Sequence, residues 1–143
     1  MGPITEYLGC RIDRVQHNNN NTADTVHLTQ PVLIQSISDQ FTPGPRPLPT
    51  PASQGTLLSN AAEGEVVDAT LLRMYRAIIG KLMHIARWSR PEIYNAVREG
   101  SRHVQASTPA HRRYVDKICT YLVHTAKRGC QLKPTRTWCG KDK

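Results

Sequence analysis

Residues 68–103 constrain the fold more than any other stretch, because they specify two amphipathic helices and the corner between them. Leu71, Met74, Tyr75, Ile78, Ile79, Leu82 and Ile85 recur at three- and four-residue steps. That spacing stacks them on one side of a 3.6-period helix and leaves Arg73, Arg76, Lys81 and Arg87 off it. A chain with such a stripe must bury it against other elements, and Asp68 is placed to cap its start. At the corner, Ser89-Arg90-Pro91-Glu92 combines a serine N-cap, a proline just inside the next helix and a glutamate three residues on, which is a capping-box pattern. The second helix is expected over residues 91–105, burying Ile93, Ala96, Val97 and Val104. Gly100 inside it costs about 1 kcal/mol relative to alanine, so either a neighbour packs close there or the helix is locally weak.

The remaining segments supply what this pair packs against. Thr108-Pro-Ala-His starts a third helix, with Tyr114, Ile118, Tyr121 and Leu122 inward and Arg112, Arg113 and Lys117 outward. Lys127 and a left-handed Gly129 are expected to end it. Near the start, Leu8, Cys10 and Ile12 alternate with Gly9, Arg11 and Asp13 as in a half-buried strand, where Gly9 leaves room for close backbone approach. The polar residues 16–22 form a hairpin tip, and Thr25 to Leu28 return as the partner strand. A short helix capped by Thr29 or Gln30 then runs to Phe41, with Val32, Leu33, Ile37 and Phe41 inward. Five prolines in the nine positions 43–51 forbid helix and sheet ladder and make a semi-rigid connector. Its Pro-x-x-Pro look lacks the basic flank of an SH3 ligand.

The expected architecture is therefore α+β. Residues 1–41 form the hairpin and short helix, 42–67 the Pro-rich connector, 68–128 a three-helix bundle and 129–143 a tail. At 143 residues this makes one domain with a modest core.

Charge separates the two halves. Residues 72–143 hold sixteen Lys and Arg against four Asp and Glu, a net of +12, whereas residues 1–71 carry −4. Such asymmetry points to a polyanionic partner, nucleic acid first and an anionic membrane surface second. No apolar run is long enough to span a bilayer, so membrane insertion is not expected. Four scattered cysteines without a C-x-x-C pair, behind an N-terminus without a signal-peptide pattern, point to an intracellular, reduced protein.

Catalytic and metal chemistry find little support. His103, His111 and Cys119 stand eight apart, which is no zinc-site spacing, and nothing marks a cysteine as an activated nucleophile. The aspartates are scattered without an Asp-Asp pair, and no Gly-rich phosphate loop is present. What remains is a set of basic helical residues, Arg73, Arg76, Lys81, Arg87, Arg90, Arg98, Arg102, Arg112, Arg113 and Lys117, interleaved with Tyr75, Trp88, Tyr94 and Tyr114. Basic side chains hold phosphates and aromatic ones stack or pack. Most of these aromatics belong to a core; Trp88, at a helix end between Arg87 and Arg90, is the exception.

Several landmarks then occur in a specific order: Tyr7-Leu-Gly9, Leu28-Thr-Gln30, Thr50-Pro51, Tyr75-Arg76 with Gly80-Lys-Leu82, Arg90-Pro-Glu-Ile93 with Ala96-Val97, Pro109 with His111, and Tyr121-Leu122 with Thr125. In this set the chain resembles the reverse transcriptase of copia-type LTR retrotransposons, in the part that follows the catalytic aspartates, to about Leu132. The resemblance implies that Tyr7, Leu8 and Gly9 belong to a primer-grip-like hairpin ending the palm. It also implies that the helices from Asp68 form a thumb gripping an RNA/DNA or DNA template-primer duplex through phosphate contacts, with Arg87 and Arg90 the corner residues that touch phosphate. The family's Tyr-x-Asp-Asp strand, fingers and most of the palm are missing, as is the RNase H portion expected after about Gly140. Hence no catalytic residue, metal or other cofactor is expected in this chain, Mg²⁺ belonging to the missing palm, and the chain alone should not polymerise.

By the same resemblance, the setting is a cytoplasmic particle or the nucleus. Gly100 and His84 depart from the family pattern, where an apolar and an aromatic residue are common. A domesticated or relic module, a helical nucleic-acid binder without enzymatic role, is the alternative reading. A sequence-specific helix-turn-helix is disfavoured, since no helix offers Asn, Gln and Arg on one exposed face for base edges.

Overall fold

The computed structural model describes residues 4–15, 25–61 and 68–133. The expected hairpin tip at 16–22, the end of the connector at 62–67 and the tail from 134 lie outside the described residues. The architecture is α+β, with antiparallel strands and a short helix followed by the helical layer.

Four strands, β1 (Glu6–Tyr7), β2 (Cys10–Val15), β3 (Thr25–Thr29) and β4 (Cys130–Leu132), lie side by side in that order. All neighbours are antiparallel, with Tyr7 opposite Cys10, Ile12 opposite Leu28 and Leu28 opposite Cys130. The continuous first strand expected through Leu8 is broken. Leu8 and Gly9 have φ of 50° and 75°, the paired positive values of a two-residue hairpin turn whose twist suits the flanking strands. Leu8 is therefore 55% exposed, not on an inner face with Cys10. Gly9 serves the turn and no close approach, for a Cβ there meets nothing within 4 Å.

Residues 130–132, expected as a tail, instead pair with β3. Gly129 stays outside the left-handed region and is required by space, since a Cβ on it falls 2.2 Å from the Leu28 carbonyl oxygen. Among the described strands only Cys10 and Thr25 are buried, so the core lies with the helices.

Helix α1 (Pro31–Gln40) buries Ile34 and Ile37, while Val32, expected inward, is 77% exposed. Two residues span about 200° of a 3.6-period helix, so Val32 stands opposite Ile34. Helix α2 (Ala69–Trp88) is capped by Asp68, which accepts from the Thr70 N–H at 2.9 Å. It buries Tyr75, Ile78, Ile79, Leu82, Ile85 and Ala86, whereas Met74, at the edge of the expected stripe, stays half exposed.

The corner is built differently from its sequence pattern. The Ser89 backbone N–H still bonds to the Ile85 carbonyl, so Ser89 closes α2 and cannot cap the next helix. Its hydroxyl donates to Gln30 Oε1 at 2.8 Å. A 3₁₀ turn, Pro91–Ile93, leads into α3 (Tyr94–Ser101), which ends short of the expected residue 105. Gly100 is buried where a Cβ lies 3.2 Å from Ile79 Cδ1 and 3.4 Å from Tyr75 Oη, so close packing explains it. The Tyr75 hydroxyl donates to the Gly100 carbonyl at 2.6 Å, and burial pushes its pKa up to about 12, which keeps it a donor.

Helix α4 (Pro109–His124) opens with a capping box in which His111 takes the usual place of glutamate. Its Nδ1 accepts from the Thr108 N–H at 3.0 Å and its Nε2 donates to the Ser59 carbonyl at 2.7 Å. The helix ends at Thr125, before the expected Lys127.

The four helices share one core cluster, and the Pro-rich segment lies on it through Leu48, Ala52 and Leu58. Gly44 donates to Thr120 Oγ1 at 3.2 Å and accepts from His124 Nε2 at 2.8 Å, while the Leu58 N–H reaches Glu99 at 3.0 Å. The connector is thus a strap held on α4 at Gly44 and on α3 at Leu58, not a free spacer.

Two outcomes follow for stability. Gly129→Ala forces a methyl into the Leu28 carbonyl and lowers unfolding stability by roughly 1–3 kcal/mol in urea titration. The His103 and His111 rings stack at 4.1 Å in a buried site, and His103 has its pKa lowered, first by burial and next by His111. At His103 the unfolded chain therefore binds the proton more readily: the stability this one ring contributes is complete above about pH 6.5 and is lost as pH falls through its lower folded value. Urea midpoints measured from pH 8 to 5 should drop in that window, and His103→Asn should flatten the drop.

Candidate nucleic-acid interface

Helix α2 contains four Arg and Lys and no Asp or Glu. Opposite its buried stripe, Arg73, Arg76, Gly80, His84 and Arg87 recur at three- and four-residue steps and so share one face. Met83, Trp88 and, from the start of α3, Tyr94 join Gly80, His84 and Arg87 around a shallow groove. Trp88 is 37% and Tyr94 45% exposed, so both rings present surface to it. Arg98 follows Tyr94 by one helical turn and is exposed; Arg102 follows by another and pairs with Glu99 at 3.2 Å. The Arg76 side chain donates to the Val104 carbonyl at 2.7 Å, tying α2 to the segment just beyond α3 while staying exposed.

The hairpin reaches the same face. His84 Nε2 donates to the Leu8 carbonyl at 3.3 Å, which sets the Tyr7-Leu8-Gly9 turn beside α2 with the Tyr7 and Leu8 side chains more than half exposed. Two groups far apart in sequence, the turn and the helix face, are thereby brought together.

Other expected contacts lie elsewhere. Arg90, expected to touch phosphate, has a side chain only 1% exposed, and its donors are engaged inside the protein. Its Nε donates to Glu92, Nη1 to the Thr125 carbonyl at 2.9 Å and Nη2 to Thr125 Oγ1 at 2.6 Å, with the guanidinium 5.5 Å from the Tyr121 ring centroid. It holds the corner to the last turn of α4, where a cation also suits the helix dipole. Lys81 turns to α1, donating to Ser36 at 3.2 Å and Gln40 at 2.8 Å. Arg112 pairs with Asp116 at 2.7 Å. Arg113 and Lys117 are exposed on α4 and do not line the groove.

Gly80, Met83 and His84 were not expected as contact residues. The signal was present, because the stepping from Arg73 to Arg87 passes through positions 80 and 84.

Among the described residues no group of three or more His, Cys, Asp or Glu is placed to hold a metal ion, and no helix is long and apolar enough to cross a membrane. Burial pushes the Cys119 thiol up to about 12 and raises that of Cys10, the opposite of what an activated thiolate requires.

The fold and this face define a small α+β unit with an acid-free basic helix beside a tight hairpin turn. Comparison with known proteins finds it similar to a retrovirus-related Pol polyprotein from transposon RE1 of Arabidopsis thaliana, 32% identical over 92 residues, or 64% of this chain. The match covers 6% of that polyprotein, so the chain corresponds to a small part of its length. It supports an origin in a retrotransposon polyprotein. No family model matches the chain, and no solved structure does.

Burial separates the two arginines of the corner experimentally. Arg90→Met leaves the Thr125 acceptors unsatisfied and should cost roughly 1–3 kcal/mol in chemical denaturation. Arg87→Ala, on the exposed face, should change stability by no more than about 0.5 kcal/mol.

Proposed function

We propose that this chain grips a template-primer duplex, RNA/DNA or DNA, through the exposed face of α2 and α3, as the thumb and primer-grip portion of a copia-type reverse transcriptase. One observation carries the reading: on a helix without a single carboxylate, Arg73, Arg76 and Arg87 share the face to which the Leu8 turn is held by His84. Spaced cations on a rigid helix match the regular charges of a nucleic-acid backbone, and phosphate contacts position a duplex without reading its sequence. The resemblance to copia-type enzymes and the similarity to a transposon polyprotein support the same assignment.

In this reading the chain contributes grip and orientation and no polymerising step. The palm that would hold Mg²⁺, and the RNase H portion, belong to other parts of the same polyprotein.

Fluorescence anisotropy with a labelled RNA/DNA hybrid tests the proposal. If Arg73, Arg76, Arg87 and Arg98 each neutralise one phosphate, the slope of log affinity against log salt is about −3 to −4, and affinity falls roughly 100-fold from about 50 to about 200 mM salt. Absence of binding at low salt, or binding indifferent to salt, overturns the reading. Incorporation of labelled dNTP by the purified chain overturns its non-catalytic part.

A further inference from the structure

A second cavity, of about 530 Å³, shares no residue with the groove on α2 and opens where the sheet, α1 and the end of α4 meet. In β2 and β3, Arg11 stands opposite Thr29 and Asp13 opposite His27, so these four side chains share one face of the sheet, and that face forms one wall. Ile34 and Ser38, one helical turn apart, form the wall on α1. The third side comes from Val123 at the end of α4 and from Ala126 and Lys127 just beyond it.

The lining joins an excess of positive charge to an apolar surface. Arg11 Nε donates to Asp13 at 3.1 Å, which answers the carboxylate and leaves the two terminal guanidinium nitrogens of Arg11 over. His27 and Lys127 belong to none of the ion pairs among the described residues. Guanidinium, ammonium and imidazole donors, with the Thr29 and Ser38 hydroxyls, therefore stand around one space, and Ile34, Val123 and Ala126 stand beside them.

The cavity falls within the roughly 300–1,000 Å³ of small-molecule sites, in which apolar walls supply area and a few polar groups fix orientation. Its donors outnumber what one carboxylate can use. A phosphate monoester offers three acceptor oxygens and a charge of about −1.5 to −2 at neutral pH, which suits them better.

We propose that this cavity binds a small phosphate monoester, a nucleotide or a sugar phosphate. The phosphate takes the Lys127, Arg11 and His27 donors, and the organic part lies on Ile34, Val123 and Ala126. The site is separate from the duplex-gripping face, and neither reading needs the other.

Isothermal titration calorimetry on the full chain, with adenosine monophosphate, ribose phosphate, adenosine and inorganic phosphate as probes, tests the site. One or both esters should bind saturably, and roughly tenfold or more tighter than inorganic phosphate or adenosine, because each of those lacks half of the recognised groups. Preference for the nucleotide assigns the apolar wall to the base, and preference for ribose phosphate assigns it to the sugar; either supports the proposal.

Lys127→Glu removes a charge-assisted contact and should weaken ester binding roughly tenfold or more. Ser38→Leu fills the cavity from α1 with a good helix former and should do the same without lowering the melting temperature. Arg14→Glu makes the same charge change on the opposite face of β2 and should bind like wild type. Absence of saturable binding by both esters, equal affinity for inorganic phosphate, or binding untouched by Lys127→Glu and Ser38→Leu overturns the proposal. Equal loss in Arg14→Glu overturns it too, since net charge alone would then account for the affinity.

Discussion

The fold turns on one buried cation. Arg90 joins three parts of the chain at once: the corner after α2 through its own backbone, the 3₁₀ turn through Glu92, and the end of α4 through Thr125 and the face of Tyr121. A guanidinium taken out of water is stable only when its donors and its charge are all answered. Here a carboxylate, a carbonyl at a helix C-terminus and a hydroxyl do so, and the Thr125 hydroxyl itself donates to the Tyr121 carbonyl at 2.7 Å. These contacts tie the corner after α2 to the end of α4 at one point.

The same economy sorts the remaining positive charge. Lys81 serves α1, Arg112 serves Asp116 and Arg102 serves Glu99. What stays on the outer face of α2 is Arg73, Arg76 and Arg87, without a carboxylate on that helix. The net charge of +8 therefore overstates what is available to a partner and hides how it is arranged. A few arginines in one row on a helix present a more ordered charge than a larger, scattered excess.

Much of this was legible in the residues, and the exceptions have physical causes. The helical stripe of Tyr75 to Ile85, the Asp68 and Thr108 caps and the inward side of α4 follow from local spacing, and local spacing decides them. Arg90 could not be placed from sequence, since an arginine beside a proline reads as solvated until its distant partner Thr125 is known. Ser89 shows the same limit: as a cap it competes with the last hydrogen bond of the preceding helix, and that bond won. Leu8 and Gly9 hid a tight turn inside an apparently alternating strand, because alternation over so few residues does not distinguish one strand from two. The groove was half visible: its arginines stood out as charges, whereas Gly80, Met83 and His84 gain meaning only once the helix faces are known.

The pairing of β4 with β3 has a consequence for how the chain assembles. Leu28 and Cys130 are opposite one another across more than 100 residues, and closing a loop of about that length costs roughly 4 kcal/mol in chain entropy before any contact compensates. Contacts so distant gain little until nearer ones restrict the chain. Arg90 supplies one such restriction: with Thr125 held, residue 130 is five residues from a fixed point, and β4 is a three-residue strand on the edge of β3. The first described strands are thus joined to nearly the last described part of the chain, and the sheet closes like a latch across the length of the fold.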